Sequence, residues 1–390
     1  MKKFIVLIGM SFLVGLFVSI FFSWAYPQIV ARIRHPILRF SANMLLKKCA
    51  YTTKKEQEYL SCIKNGIHFM YPVFGSGASM EFLSNLYSRD AVFAQNCHDF
   101  AHIVGRDTYL SFGKLMSPDA DLFSICGHGF YHGYMETLIA KQGGNVDINT
   151  FCVEDGNDGE LTRQQRACYH GVGHGYVTTH DLTSSQQIDD NIARGLLLCE
   201  KLDTREKITF CATGVYNGVS IAISSSNFID RDNPVGYCER QPRQYKDICY
   251  ADAATLVVAA RPRDFASQLF LAEKMREKEY VMTLVRNAAS NHVKEDLGHD
   301  SLVEGLLLCS ALSTSLAGEC LSGFIDGVFE FGTPDLQYIE AFSLCKNVQL
   351  LPSFRSVCER KVRENMVYWY GFEATSSKCR HLGITECSIE

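Results

Sequence analysis

The sequence predicts an all-α protein of disulfide-stapled helical-hairpin repeats, a solenoid-like array behind a single N-terminal transmembrane helix. Three observations carry that prediction. Sixteen cysteines fall into close sequence pairs, a cysteine-led octad recurs along the chain, and the body is nearly free of proline. Only 9 prolines occur in 390 residues, and none lies between Pro118 and Pro234. Proline removes a backbone donor and breaks helix interiors. A long proline-poor run therefore predicts helices joined by short turns.

At the N-terminus, Phe4 to Tyr26 is an uncharged, mostly apolar run of 23 residues preceded by Lys2 and Lys3. Such a run is long enough to cross a bilayer as one helix, whereas the apolar region of a signal peptide is usually ~7–15 residues. Residues 1–26 are read as a signal-anchor. The competing reading is cleavage after Ala25, since Ser23-Trp24-Ala25 fits the small-x-small rule and would make the protein secreted. Residues 27–48 place Ile29, Ile33, Ile37, Phe40 and Met44 at helical spacing among Arg32, Arg34, Arg39, Lys47 and Lys48. This predicts a basic amphipathic juxtamembrane segment on the membrane surface, interrupted near Pro36. The alternative is that it forms the first solenoid helix.

Residues 49–390 make up the expected cysteine-rich helical-repeat ectodomain. The whole chain carries a net charge of −5, and its first 48 residues hold seven Lys or Arg and no acid; setting those seven aside leaves −12 for the remainder. An acidic body repels phosphate backbones, which argues against nucleic-acid binding. The cysteines pair by proximity as Cys49/Cys62, Cys152/Cys168, Cys199/Cys211, Cys238/Cys249, Cys309/Cys320, Cys345/Cys358 and Cys379/Cys387, leaving Cys97 and Cys126 for each other. No Cys-x2–4-Cys zinc knuckle occurs, so disulfides are the better reading. They imply an oxidising, extracytoplasmic compartment, periplasmic or cell-surface.

In most pairs one cysteine ends an apolar segment, as in Gly195-Leu-Leu-Leu-Cys199 and Gly305-Leu-Leu-Leu-Cys309, and the other opens a second one. The pattern predicts a helical hairpin pinned near its turn, worth ~3 kcal/mol for a loop of about 15 residues. The second helix carries the octad Cys-x-x-Gly-x-x-x-Gly, beginning at Cys126, Cys168, Cys211 and Cys320. The first three copies are spaced 42 and 43 residues apart, a helical-hairpin repeat period. Degenerate copies open at Cys62, Cys249 and Cys358, the first with His68 in the second histidine position. At 100° per residue the cysteine and both glycines form one narrow stripe. Glycine costs a helix ~1 kcal/mol against alanine, and close helix packing along the stripe is the natural compensation.

Beside that stripe lie positions +2, +6 and +10. They hold His128, His132 and Glu136 in one copy, His170, His174 and Thr178 in the next, then Thr213, Asn217 and Ile221, and finally Ser322, Asp326 and Glu330. His98 and His102 form a third i, i+4 pair, one residue early relative to Cys97 and without the glycines. Histidines at i, i+4 share a helix face within reach of one ion. The candidate metal ligands are therefore His98, His102, His128, His132, His170, His174 and Glu136, with His180 at the margin. Asp99 and Asp181 are candidates to orient them. Copies that lose the histidines keep Cys and both Gly, so the histidines need a reason separate from folding.

Imidazoles suit a transition metal, Zn, Cu or Fe, in a mono- or dinuclear site. The expected function is an extracytoplasmic metal-binding protein anchored in the membrane through its N-terminal helix, conceivable as a metal-dependent hydrolase or oxidoreductase. One alternative is a protein- or glycan-binding solenoid scaffold with structural histidines. A second is bis-His haem binding, walled by Phe100, Phe130, Tyr131 and Tyr134, although no Cys-x-x-Cys-His exists for covalent attachment. The zincin motif is absent because Gly129 stands at its glutamate position. His292 and His299, in the polar stretch from Ser290 to Asp300, are expected at the surface.

Overall fold

The structure, a computed structural model, describes residues 38–49, 56–112, 126–127, 129–142, 146–152, 161–179, 184–224, 229–333, 336–346 and 350–382. These contain fifteen α-helices and no strand. The expected transmembrane run lies outside them, and no helix among the described residues is long and apolar enough to cross a membrane.

The chain divides into two compact units at Leu86/Tyr87. The first contains α1, over residues 38–48, and nearly all of α2, Glu56–Tyr87. The Cys49–Cys62 bridge joins them, and Leu38, Ala42, Ile63 and Ile67 are buried. Gly75, at φ 76°, breaks α2 in a conformation that side-chain-bearing residues rarely adopt.

The second unit is the repeat array. Its helices are α3 (Ala91–Phe112), α4 (Gly129–Gln142), the single turn α5 (Ile148–Phe151), α6 (Arg163–Thr178), α7 (Ser185–Cys199), α8 (Arg205–Ser224), α9 (Arg243–Ala260) and α10 (Phe265–Lys274). They continue as α11 (Val281–Glu295), α12 (His299–Ser310), α13 (Thr314–Phe331), α14 (Gln337–Cys345) and α15 (Pro352–His381). One layer runs α3, α4, α6, α8, α9, α11, α13, α15, each packed on its predecessor. The second layer includes α7, α10, α12 and α14, each packed on the first-layer helix that follows it. Neighbour-only stacking of this kind defines a solenoid.

Local chemistry starts the helices where the sequence changes character. Thr162 and Gln165 form a reciprocal capping box at α6, Ser184 caps α7, and Asp264 caps α10 through Ser267 N. Six bridges among the described residues fasten this unit: Cys97–Cys126, Cys152–Cys168, Cys199–Cys211, Cys238–Cys249, Cys309–Cys320 and Cys345–Cys358. Most tie a second-layer segment to the first-layer helix after it. Cys97–Cys126 differs, because Cys97 lies on α3 and Cys126 just before α4, so it joins two first-layer neighbours. Cys387, assigned to Cys379, lies outside the described residues.

The octad glycines line the first-layer seam. A Cβ at Gly133 would lie 2.6 Å from the His102 carbonyl carbon, and one at Gly175 would lie 2.7 Å from Glu136 N. Such backbone proximity explains a pair of glycines in mid-helix despite their propensity cost. Correspondences at Gly129 with His98, Gly133 with His102, and Gly214 with His170 make the helices parallel and fix their register. One surface expectation fails. His292 is buried, its ring stacked on Phe265 at 4.3 Å, because its face of α11 packs against α10; His299 is exposed as expected.

Candidate metal centre

Parallel stacking of α3, α4 and α6 assembles one polar cluster from three successive first-layer helices. α3 contributes His98 and His102, α4 contributes His132 and Glu136, and α6 contributes His170 and His174. The glycine seam is what aligns them, since Gly129 and Gly133 rest on the backbone of the two α3 histidines.

His98, His102 and His132 each direct one ring nitrogen inward, and these three atoms lie within 4.8 Å of one another. His98 Nε2 is 3.2 Å from His102 Nε2 and 3.1 Å from His132 Nδ1. Nitrogen ligands stand 2.0–2.1 Å from zinc, so a tetrahedral pair is separated by roughly 3.3 Å. The two contacts of His98 Nε2 therefore have the spacing of ligands around one ion, and the three-histidine group could hold a metal.

His98 Nδ1 lies 3.1 Å from Cys126 O, a carbonyl that only accepts, so Nδ1 carries the proton. Cys126 and Gly127 both adopt left-handed backbone, with φ of 63° and 58°, and this turn presents the carbonyl. Burial, then the neighbouring His102, lowers the His98 pKa to about 3, so its Nε2 is a bare lone pair. His102 Nδ1 faces Glu136 Oε2 at 3.5 Å. Burial pushes the Glu136 carboxyl up, but the adjoining His102 and His174 prevail and hold it well below the ordinary carboxylate range, so it too only accepts. His102 Nε2 is thus left facing the His98 lone pair. With the His102 proton on Nδ1 towards Glu136, the two facing Nε2 atoms present lone pairs 3.2 Å apart, an arrangement that a cation between them would relieve.

The rest of the cluster flanks this trio. His132 is 4% exposed and its Nε2 has no hydrogen-bond partner; burial and the surrounding histidines hold its pKa well below the usual value. His174 is 2% exposed, and its pKa is lowered by burial against the opposing pull of Glu136. Its Nδ1 stands 3.1 Å from Glu136 Oε1 at ion-pair distance but outside hydrogen-bond alignment, and its Nε2 is also unpartnered. The rings of His174 and His170 stack on His132 at 4.5 and 4.8 Å, 14° and 20° from parallel. Imidazole lone pairs lie in the ring plane, so stacked rings do not converge on one ion. His170 Nδ1 lies 2.8 Å from Thr213 Oγ1, whose own proton goes to Phe210 O, so His170 is the donor.

His128 and His180 lie outside the described residues, as does Asp181, while Asp99 is exposed. Sequence reasoning missed the orienting roles of Cys126 O and Thr213, which no spacing rule announces. Phe100, Phe130, Tyr131 and Tyr134 are core residues; Phe130 packs on Tyr131 and Tyr134, and Phe100 stacks on Phe93. In the copy at Cys320, Asp326 instead receives Arg286 at 3.0 Å, Lys361 at 3.4 Å and Asn365 at 2.8 Å. Comparisons with protein-family models, curated proteins and solved structures gave no match.

Proposed function

We propose that this is a membrane-anchored extracytoplasmic protein that binds one transition-metal ion through His98 Nε2, His102 Nε2 and His132 Nδ1. The observation that carries the reading is the convergence of three ring nitrogens, with His98 Nε2 3.2 Å from His102 Nε2 and 3.1 Å from His132 Nδ1. A single ion held among the three would engage both close contacts together. Three imidazoles without a carboxylate suit Zn or Cu. Three protein ligands with a fourth position open is the pattern of catalytic rather than structural zinc. His98 and His102 are partly exposed whereas His132 is buried, which supports access to the ion from the α3 side. A metal-dependent hydrolase or oxidoreductase is the corresponding enzyme reading.

Haem fits less well. The aromatic residues expected to wall it are core residues, with Phe130 packed on Tyr131 and Tyr134 and Phe100 on Phe93. The compartment is supported by seven disulfides among the described residues. The anchor is supported by the apolar run before residue 27 and by α1, which exposes Phe40 (65%) and Met44 (57%) beside Arg39, Lys47 and Lys48. Exposed apolar and basic groups together fit an anionic membrane surface.

Metal analysis of the full chain, purified in detergent without added chelator, tests the proposal. One Zn or Cu per chain is expected, and the double variant H98A/H132A should lose it while keeping its helix content. A wild-type protein that neither retains nor takes up either ion at micromolar concentration would overturn the reading and leave the scaffold alternative.

A further inference from the structure

We infer that Glu136 is a positioning residue and not an ion ligand: its carboxylate bridges His102 on the preceding repeat and His174 on the following one, and so selects the nitrogen that His102 presents to the ion. The inference rests on the ion site proposed above.

The two carboxylate oxygens are divided between two helices. Oε2 faces His102 Nδ1 at 3.5 Å, and Oε1 faces His174 Nδ1 at 3.1 Å. Oε1 also accepts the Thr178 hydroxyl at 3.1 Å. The carboxylate therefore lies on the Nδ1 side of His102, whereas His98 and the ion site lie on the Nε2 side. One imidazole cannot bring both edges to one ion. A carboxylate holding Nδ1–H fixes the tautomer and makes Nε2 the ligand, the arrangement that carboxylate–histidine–metal triads use.

The His174 geometry supplies the second half. Its ring is stacked on His132 at 4.5 Å, so it does not share that residue's ion. It is 2% exposed, yet its one close polar neighbour of opposite charge is Glu136. Its place is explained if it anchors the second oxygen, so that the carboxylate cannot rotate away from His102. Ion affinity would then depend on α6 although α6 supplies no ligand. That also accounts for a His-bearing octad at Cys168 beside a site whose three ligands come from α3 and α4.

The test uses Zn(II) for affinity and Co(II) for coordination, on the full chain in detergent. E136Q keeps size and an acceptor oxygen, but its amide N–H groups oppose one of the two Nδ1–H donors. It should weaken Zn(II) binding by about 10- to 100-fold with unchanged helix content. Its Co(II) absorption bands, once saturated, should match wild type. H174F should weaken binding less, because Glu136 still reaches His102. A Zn(II) affinity within twofold of wild type for E136Q, or a Co(II) spectrum altered as by a lost ligand, would overturn the inference. A wild type that binds neither ion sinks the proposed function instead. In that case 15N-imidazole NMR of the metal-free chain still decides the tautomer role: His102 should be Nδ1–H in wild type and lose that preference in E136A, and an unchanged tautomer refutes it.

Discussion

The Gly133→Ala substitution tests whether the glycine seam builds the site. The added Cβ would lie 2.6 Å from the His102 carbonyl carbon and 2.7 Å from its Cα. An ordinary carbon contact is about 3.5 Å, so α3 and α4 must part by roughly 1 Å. Backbone does not yield as a side-chain tip does, and overpacking of this kind costs about 1–3 kcal/mol. Alanine returns ~1 kcal/mol of helix propensity, leaving a modest net loss of stability. The metal site suffers more. Opening the 3.1 Å separation between His98 and His132 by 1 Å brings it to about the ~4 Å limit for two nitrogens on one ion. Losing one of three ligands should weaken binding by more than the ~100-fold upper range of an orienting residue. Zn(II) competition against a chelator reads affinity, and thermal denaturation of the metal-free protein reads stability. Gly323→Ala is the matched control, since its Cβ would lie 2.6 Å from the Arg286 carbonyl carbon, between helices that carry none of the cluster. It should destabilise comparably and leave affinity alone. If G133A binds Zn(II) as wild type does, or if both variants lose affinity equally, the argument that the seam sets ligand spacing is wrong.

Other outcomes follow from the same geometry. Removing Cys199–Cys211 should cost about 3 kcal/mol by the chain-entropy argument and spare metal affinity; removing Cys97–Cys126 should reduce both, because Cys126 O orients His98. Denaturant titrations of the paired Cys→Ala variants with a Zn(II) competition assay read the two effects. The metal-free protein should lose stability as pH falls from about 6.5 towards 3. His98, His132 and His174 are held below their ordinary pKa, so the unfolded chain takes up protons in that range that the fold refuses. Urea midpoints at pH 8, 6 and 5 check the sign, and a midpoint that rises on acidification contradicts it. Burial pushes Asp252 up to about 8 against the hydrogen bond from Asn217, so the folded state is penalised progressively as pH climbs from the ordinary carboxyl range to 8. Asp252→Asn should therefore stabilise at pH 7.5 by about 1–2 kcal/mol after discounting for its partial exposure, with little effect at pH 4, as measured by thermal melts.

Much of the architecture was written in local sequence. The helical period, the hairpin length and most of the bridges depend on residues within about fifteen positions of each other, where spacing alone decides what can meet. The i, i+4 pairs were legible for the same reason, since 3.6 residues per turn puts both rings on one face. What spacing could not decide was how that face meets its neighbours. His98 and His102 stand one residue out of phase with the octad, yet they supply two of the three converging nitrogens because Gly129 and Gly133 seat α4 on their backbone. His170, in perfect register, is turned to Thr213, 43 residues away. The nitrogens that His98 and His102 present are set by Cys126 O and Glu136, which lie 28 and 34 residues from the histidines they orient. A ring's azimuth and tautomer are properties of its contacts across the seam, and only tertiary packing creates those contacts.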